Sequence, residues 1–159
     1  MGLDMYLGRR FYVKNWDHMK DDEKHKITVR KGGKKTSIPT DKICYIETQE
    51  AYWRIETQEA YWRKANQIHK WFVDNVQDGE DDCGAYDVSR EQLKDLIELC
   101  QKVLADHSLA KELLPNSEGF FFGSQDYDEY YFGDLEDTIK QLTPLLDTEE
   151  GGFEYRSSW

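Results

Sequence analysis

Long apolar runs are absent from this chain: no stretch approaches the roughly 18 consecutive apolar residues of a membrane span. The opening MGLDMYLGRR has no apolar core of the kind a secretory signal needs, and Tyr6 stands where a myristoylation start would carry Ser or Thr. Cysteine is scarce. Cys44, Cys83 and Cys100 are odd in number and scattered, which argues for reduced thiols rather than a disulfide framework. Catalytic signatures are missing as well: there is no CxxC, no HExxH, no phosphate-cradling glycine loop, no nucleophile elbow and no dinucleotide fingerprint. These absences lead to the expectation of a soluble cytoplasmic protein with no cofactor, no metal and no membrane contact.

What is present fits one globular domain. The 159 residues suffice for a core, and 38% of them are apolar against 33% charged. Aromatics make up 14%, enough either to fill a small core or to line a recognition surface. The net charge of −11 conceals a division: residues 1–70 carry 15 Lys/Arg against 10 Asp/Glu, whereas residues 71–159 carry 6 against 22. An acidic half of that size repels nucleic acid and suits basic partners, or imitates a phosphate backbone; it also keeps a protein soluble.

Leu3, Met5 and Leu7 alternate with Asp4 and Tyr6, and Phe11 and Val13 resume the pattern, so the chain opens with a strand bent at Gly8. Lys14–Lys26 reads as a loop, and Ile27–Val29 and Thr36–Ile38 as short strands around a Gly32-Gly33 turn. Tyr61, Ala65, Ile68 and Phe72 fall at i, i+4, i+7 and i+11, the apolar face of a helix over Tyr61–Val76 that holds two of the five tryptophans. An acidic loop, Val76–Tyr86, follows. Ser89 and Gln92 form a capping box, with Val88 placed to staple onto Leu93. They open a helix whose buried stripe is Leu93, Leu96, Ile97, Cys100, Val103 and Leu104. Ser108–Leu114 is a short helix stopped by Pro115, and Phe120–Gly123 has strand composition. A last helix from Asp128 turns Tyr131, Leu135, Ile139, Leu142 and Leu146 inward, with Pro144 disturbing its final turn. The expected fold class is α+β, mostly helical, with three main helices and a small antiparallel sheet near the N-terminus. One domain spans 1–146, and 147–159, lacking periodicity, reads as a loose C-terminal tail.

The sequence IETQEAYWR occurs twice in tandem, as Ile46–Arg54 and Ile55–Arg63. In one straight helix nine residues advance by about 900°, half a turn out of phase, so Tyr52 and Tyr61 would face opposite ways. Either copy one lies outside the packed helix, or the helix extends past the body with Tyr52 and Trp53 exposed as a contact surface; the expectation is an in-frame duplication tolerated by lengthening a helix.

Arg63, Lys64, Asn66 and His69 are the strongest polar group. Spaced i, i+3 along a helix, Arg63, Asn66 and His69 would line one cleft wall and bind a phosphate or carboxylate, with His69 as acid or base. The competing account is a half-buried helix whose histidine bonds the backbone. Asp82 is the other candidate for catalysis, and Asp81, Asp82 and Cys83 could join His69 around zinc. A calcium loop from Asp74 fails, because Val76 and Ala85 occupy ligand positions. The ExxE pairs Glu47/Glu50 and Glu56/Glu59 lack the ExxD partner of a magnesium pyrophosphohydrolase. Asp126, Tyr127, Asp128, Glu129 and Tyr130 combine rings with negative charge, a composition that suits a protein-binding patch.

The opening MGLDMYL, the stretch YWRKANQIHKWFVDNVQDG with DDC after it, and FFFGSQDYDEYYFGDLEDT together resemble a family of small proteins found in phages and prophages. The resemblance runs from Gly2 to about Thr138; the tandem IETQEAYWR departs from it, since the family pattern has a single copy. It implies a phage or prophage context, in the cytoplasm of a bacterial host, and nothing catalytic. The positions it highlights are Asp4, Trp62, Arg63, Lys64, Asn66, His69, Trp71, Asp82, Cys83, Tyr127 and Tyr130. The resulting expectation is an accessory protein that binds a host or phage protein through its acidic surface, without direct nucleic-acid binding. The alternative is a small enzyme or ligand-binding protein with Arg63, Asn66 and His69 in a cleft.

Overall fold

The computed structural model describes residues 2–13, 20, 43–49, 52–117, 125–148 and 151–159. The expected strands at Ile27–Val29, Thr36–Ile38 and Phe120–Gly123 lie outside the described residues. The fold class is α+β. The strands are β1 (Asp4–Val13), β2 (Ile43–Gln49), β3 (Tyr52–Arg63), β4 (Ala85–Val88) and β5 (Gly152–Ser158), and the main helices are α1 (Asn66–Val76), α2 (Arg90–Ala105) and α4 (Glu129–Leu146). A short 3-10 turn, His107–Leu109, and the single-turn α3 (Ala110–Leu113) connect α2 to α4. The described strands form one antiparallel sheet in the order β2-β3-β1-β5-β4.

Strand alternation decides which face the helices cover. Leu3, Met5 and Leu7 are fully buried while Asp4 and Tyr6 between them are only partly so. Phe153 and Tyr155 alternate in the same way on β5, with Ser157 beyond them. Against this face pack Leu93, Leu96, Cys100 and Val103 of α2, Leu135 and Leu142 of α4, and Ile68 and Phe72 of α1. The Phe72 ring stacks on Tyr155, centroids 4.0 Å apart and 8° from parallel. The capping box at Ser89 is made in full, its hydroxyl accepting from Gln92 N–H while the Gln92 side chain accepts from Ser89 N–H.

Three expectations need correction. The tail is not loose: residues 152–158 are strand β5, hydrogen-bonded to β1 on one side and β4 on the other. Each of its buried aromatics contributes roughly 1.5–3 kcal/mol of burial, so the domain does not stop at residue 146. Gly151 turns the chain into β5 at φ +88°, where a Cβ would sit 2.8 Å from the Arg10 carbonyl oxygen. The small antiparallel sheet near the N-terminus is as expected, and β5 from the other end of the sequence joins it beside β1.

The helix expected over Tyr61–Val76 begins only at Asn66. Ala60 and Trp62 are buried while Tyr61 and Arg63 are exposed, which is a strand's period of two. Lys64 adopts a positive φ of 63° and donates its N–H to the Leu3 carbonyl, ending β3 and turning the chain into α1.

The described residues of both copies of IETQEAYWR therefore lie in strands, and the half-turn phase calculated for a helix does not apply. Residues 46–49 of copy one belong to β2 and 52–54 to β3, and copy two completes β3. Ile46 and Ile55, the first residues of the two copies, are register partners across β2 and β3, and Tyr52 and Trp53 pair with Gln49 and Thr48. Between Leu7↔Ala60 and Gly8↔Gln58 the register shifts, leaving Glu59 as an extra residue on β3. The expected bend at Gly8 coincides with this bulge. Alternation changes phase there: Thr57 is buried like Ala60 and Trp62, Gln58 is exposed, and Glu59 turns back to pair with Arg9 at 3.1 Å. Past the end of β2, α4 runs beside β3. Its Gln141 accepts from Tyr61 N–H at 2.9 Å, and its Thr138 hydroxyl accepts from Trp62 Nε1–H at 2.9 Å.

Candidate functional site

The Arg63, Lys64, Asn66 and His69 group divides at the strand-to-helix corner. Asn66 is 1% exposed, and its Oδ1 accepts from Ser117 N–H at 3.2 Å. His69, also 1% exposed, bonds Tyr155 Oη through Nδ1 at 2.7 Å and Asp81 Oδ2 through Nε2 at 2.9 Å. With Asp81 ionised its oxygen can only accept, so Nε2–H donates to it and Nδ1 accepts from the Tyr155 hydroxyl. Burial pushes the Tyr155 hydroxyl well above its ordinary pKa, with the Asp81 charge adding to it, which keeps Tyr155 a donor. The other Asp81 oxygen accepts from Trp159 Nε1–H at 3.1 Å. This chain of bonds ties α1, the acidic loop and β5 together inside the protein. It closes off His69 as an acid or base for an external substrate, and the expected cleft of Arg63, Asn66 and His69 does not form.

Asp82 is not the acid beside His69; its neighbour Asp81 is. Asp82 is exposed, accepts from Gly84 N–H at 2.7 Å, and also bonds Tyr86, whose hydroxyl is shifted upward chiefly by that bond. Cys83 is exposed and free. Among the described residues no three His, Cys, Asp or Glu side chains gather as a metal would need. Trp62 and Trp71 belong to the core, and Asp4 accepts from the Tyr61 hydroxyl at 2.5 Å.

Arg63 and Lys64 meet a different set of residues. They contribute the strand-end part of the lining of a cleft of about 330 Å³; Asp126, Asp128, Tyr130, Tyr131 and Asp134 contribute the part at the start of α4, and Gln67 of α1 and Asn116 complete it. Asp128 is the N-cap of α4, its Oδ1 accepting from Tyr130 N–H at 3.0 Å and Tyr131 N–H at 3.1 Å, so its charge is fixed against the helix end. That cap sends Tyr131 inward, its hydroxyl on the Leu114 carbonyl at 2.7 Å, and Tyr130 outward, 76% exposed. Tyr127 is half-buried, 4.9 Å from the Tyr131 ring, with its hydroxyl accepting from Asn116 N–H at 3.3 Å. Glu129 is exposed in the first turn of α4. Of the expected protein-binding residues, the structure leaves Tyr130, Asp126 and Glu129 outermost and uses Tyr127 for packing.

Asp134 is the site residue that its sequence position did not reveal. In the second turn of α4, it takes a 3.2 Å bond from the Gln67 amide. Burial raises its carboxyl to about 6; the Gln67 bond opposes this, and the nearby charges of Asp137 and Asp128 add smaller upward effects. Among the described residues Arg63 and Lys64 form no ion pair. The cleft therefore presents unpaired positive charge on one wall and a half-buried carboxylate on the other. No helix of the described residues is long and apolar enough to cross a membrane. No family model, no curated protein and no solved structure matches this chain.

Proposed function

We propose that this chain is a small binding protein of phage or prophage origin that holds a basic segment of a host or phage protein at the corner around Tyr130. The observation that carries this reading is Tyr130 itself: a large ring 76% exposed at the rim of a cleft lined by Asp126, Asp128 and Asp134. An exposed aromatic beside a concave acidic wall has the composition of an interaction hot spot, where the ring covers the aliphatic stem of a Lys or Arg and the carboxylates take its charge. The surplus of acidic residues in 71–159 steers basic partners toward this face and repels nucleic acid directly. Competition for the basic surface of a nucleic-acid-binding host factor is one form the activity would take.

The test is binding of a Lys/Arg-rich peptide array to the wild-type protein and to a Tyr130→Ala, Asp126→Lys double variant. Asp128 is left intact because its removal would uncap α4. Basic peptides retained by the wild type and lost by the variant support the reading, and equal retention by both removes it.

A further inference from the structure

We propose that the cleft takes the carboxyl-terminal residue of its partner, a Lys or Arg, with the terminal carboxylate on Arg63 and Lys64 and the basic side chain reaching Asp134. This rests on the protein-binding reading above and names the part of the partner that is recognised.

The two walls carry opposite charge and do not neutralise each other. Arg63 ends β3 and Lys64 occupies the corner after it, and neither has a carboxylate within ion-pair distance among the described residues. Across the cleft, Asp134 is held by an amide, not by a cation, and its perturbation comes from burial and neighbouring acids. An internal Lys or Arg would satisfy the acidic wall only. It would leave Arg63 and Lys64 facing a partner already chosen for positive charge, an arrangement that costs affinity. A terminal basic residue carries both signs within one side chain's length and satisfies both walls. The Arg63 guanidinium can hold a carboxylate through two parallel N–H bonds, a geometry that an amide end cannot match. A cleft of about 330 Å³ lies at the small end of ligand sites, roughly 300–1,000 Å³, which suits the end of a chain better than a continuous segment crossing it.

The experiment uses the full-length protein and pools of short peptides with random upstream positions. The pools end in Lys or Arg as free acid, end in the same residue as amide, or hold the basic residue only internally; free lysine is a fourth probe. The free-acid pool should bind tightest, with amidation weakening it about tenfold, the effect of losing one charge-assisted contact of about 1.4 kcal/mol. Arg63→Ala should erase the difference between acid and amide, and Asp134→Asn should erase the preference for a basic last residue; a cooperative thermal transition confirms that both variants are folded. Equal binding of acid, amide and internal pools overturns end recognition while leaving the basic-segment reading standing. Failure of every basic pool removes that reading too. Free lysine matching the best peptides would make the occupant an amino acid and overturn the proposal.

Discussion

Gln67 and His69 are two positions apart on α1 and leave the helix about 200° apart, so one helix serves two polar clusters of opposite character. On the His69 side, each ring nitrogen has a partner within the protein, and Asp81 divides its two oxygens between His69 and Trp159. On the Gln67 side, a single amide meets Asp134, and Arg63 and Lys64 stand opposite without ion pairs among the described residues. A histidine bonded to a carboxylate and a hydroxyl looks like catalytic machinery when read as a residue list. Burial reverses that impression: a group that is 1% exposed and fully bonded holds elements together. The charges left unpaired at an open surface are the ones available to a ligand.

The sharpest way to break the His69 side is to remove the strand it anchors. Ending the chain at Thr148 deletes β5, strips the backbone partners from β1 and β4, and takes Phe153 and Tyr155 out of the core. The shortened chain should show no cooperative transition in urea, and a two-state transition of normal steepness would refute the assignment of residues 152–158 to the core. A smaller loss is expected from His69→Ala. It leaves the Tyr155 hydroxyl and one Asp81 oxygen without their partner and opens a cavity beside them, costing about 2–4 kcal/mol by urea unfolding. Peptide binding at the cleft should be unchanged once the variant is held well below its transition. If His69→Ala abolished binding while folding normally, the two clusters would not be independent.

Tyr130→Ala is the mirror experiment on the other side. With 76% of the residue exposed and its backbone N–H still capped by Asp128, stability should shift by less than about 0.5 kcal/mol, while affinity for a basic peptide falls about tenfold. Calorimetric titration beside a thermal melt separates the two. Lost stability with intact binding would place Tyr130 among the packing residues, with Tyr127 and Tyr131.

The same contrast explains what could be read from the sequence. Elements announced by local chemistry were legible: the Ser89–Gln92 box, the Leu93-to-Val103 stripe, the Asp128 start of α4, and the Leu3, Met5, Leu7 alternation. Elements that depend on distant partners were not. Phe153, Tyr155 and Ser157 do alternate, but behind two glycines and over only seven residues the pattern carries little weight until β1 and β4 flank it. Residues 85–88 run from the end of the expected acidic loop to the Val88 staple, and they become a strand only because β5 is beside them. At Tyr61–Arg63 two periods overlap: Tyr61 and Ala65 fit the helical face that Ile68 and Phe72 continue, while Ala60 and Trp62 also keep a strand's alternation. Arg63 and Lys64 stand out in the sequence as site candidates, but the residues that share their cleft do not. Which residues face them depends on where α4 lies, and Asp134 therefore emerged only from the fold.

Asp134→Asn gives the smallest expected effect and the most informative sign. The folded carboxyl sits at about 6 against an ordinary 3.8, so the folded state holds the proton more tightly than the unfolded chain does. The ionised carboxylate is thus a burden on the fold, complete above pH about 6 and absent below pH about 4. The shift taken at face value is worth about 3 kcal/mol, but the group is only half-buried, and solvent screening reduces this to roughly 1 kcal/mol. Asparagine keeps an oxygen for the Gln67 amide and removes the charge. The variant should therefore be more stable than the wild type by about 1 kcal/mol at pH 7 and equal to it at pH 4, by urea unfolding at each pH. Its affinity for a basic peptide at pH 7 should fall to what the wild type shows below pH 6. A residue that weakens the fold at neutral pH while strengthening binding there is what the open cluster requires; a variant less stable at pH 7 would return Asp134 to the same class as Asp81, a carboxylate that serves the interior.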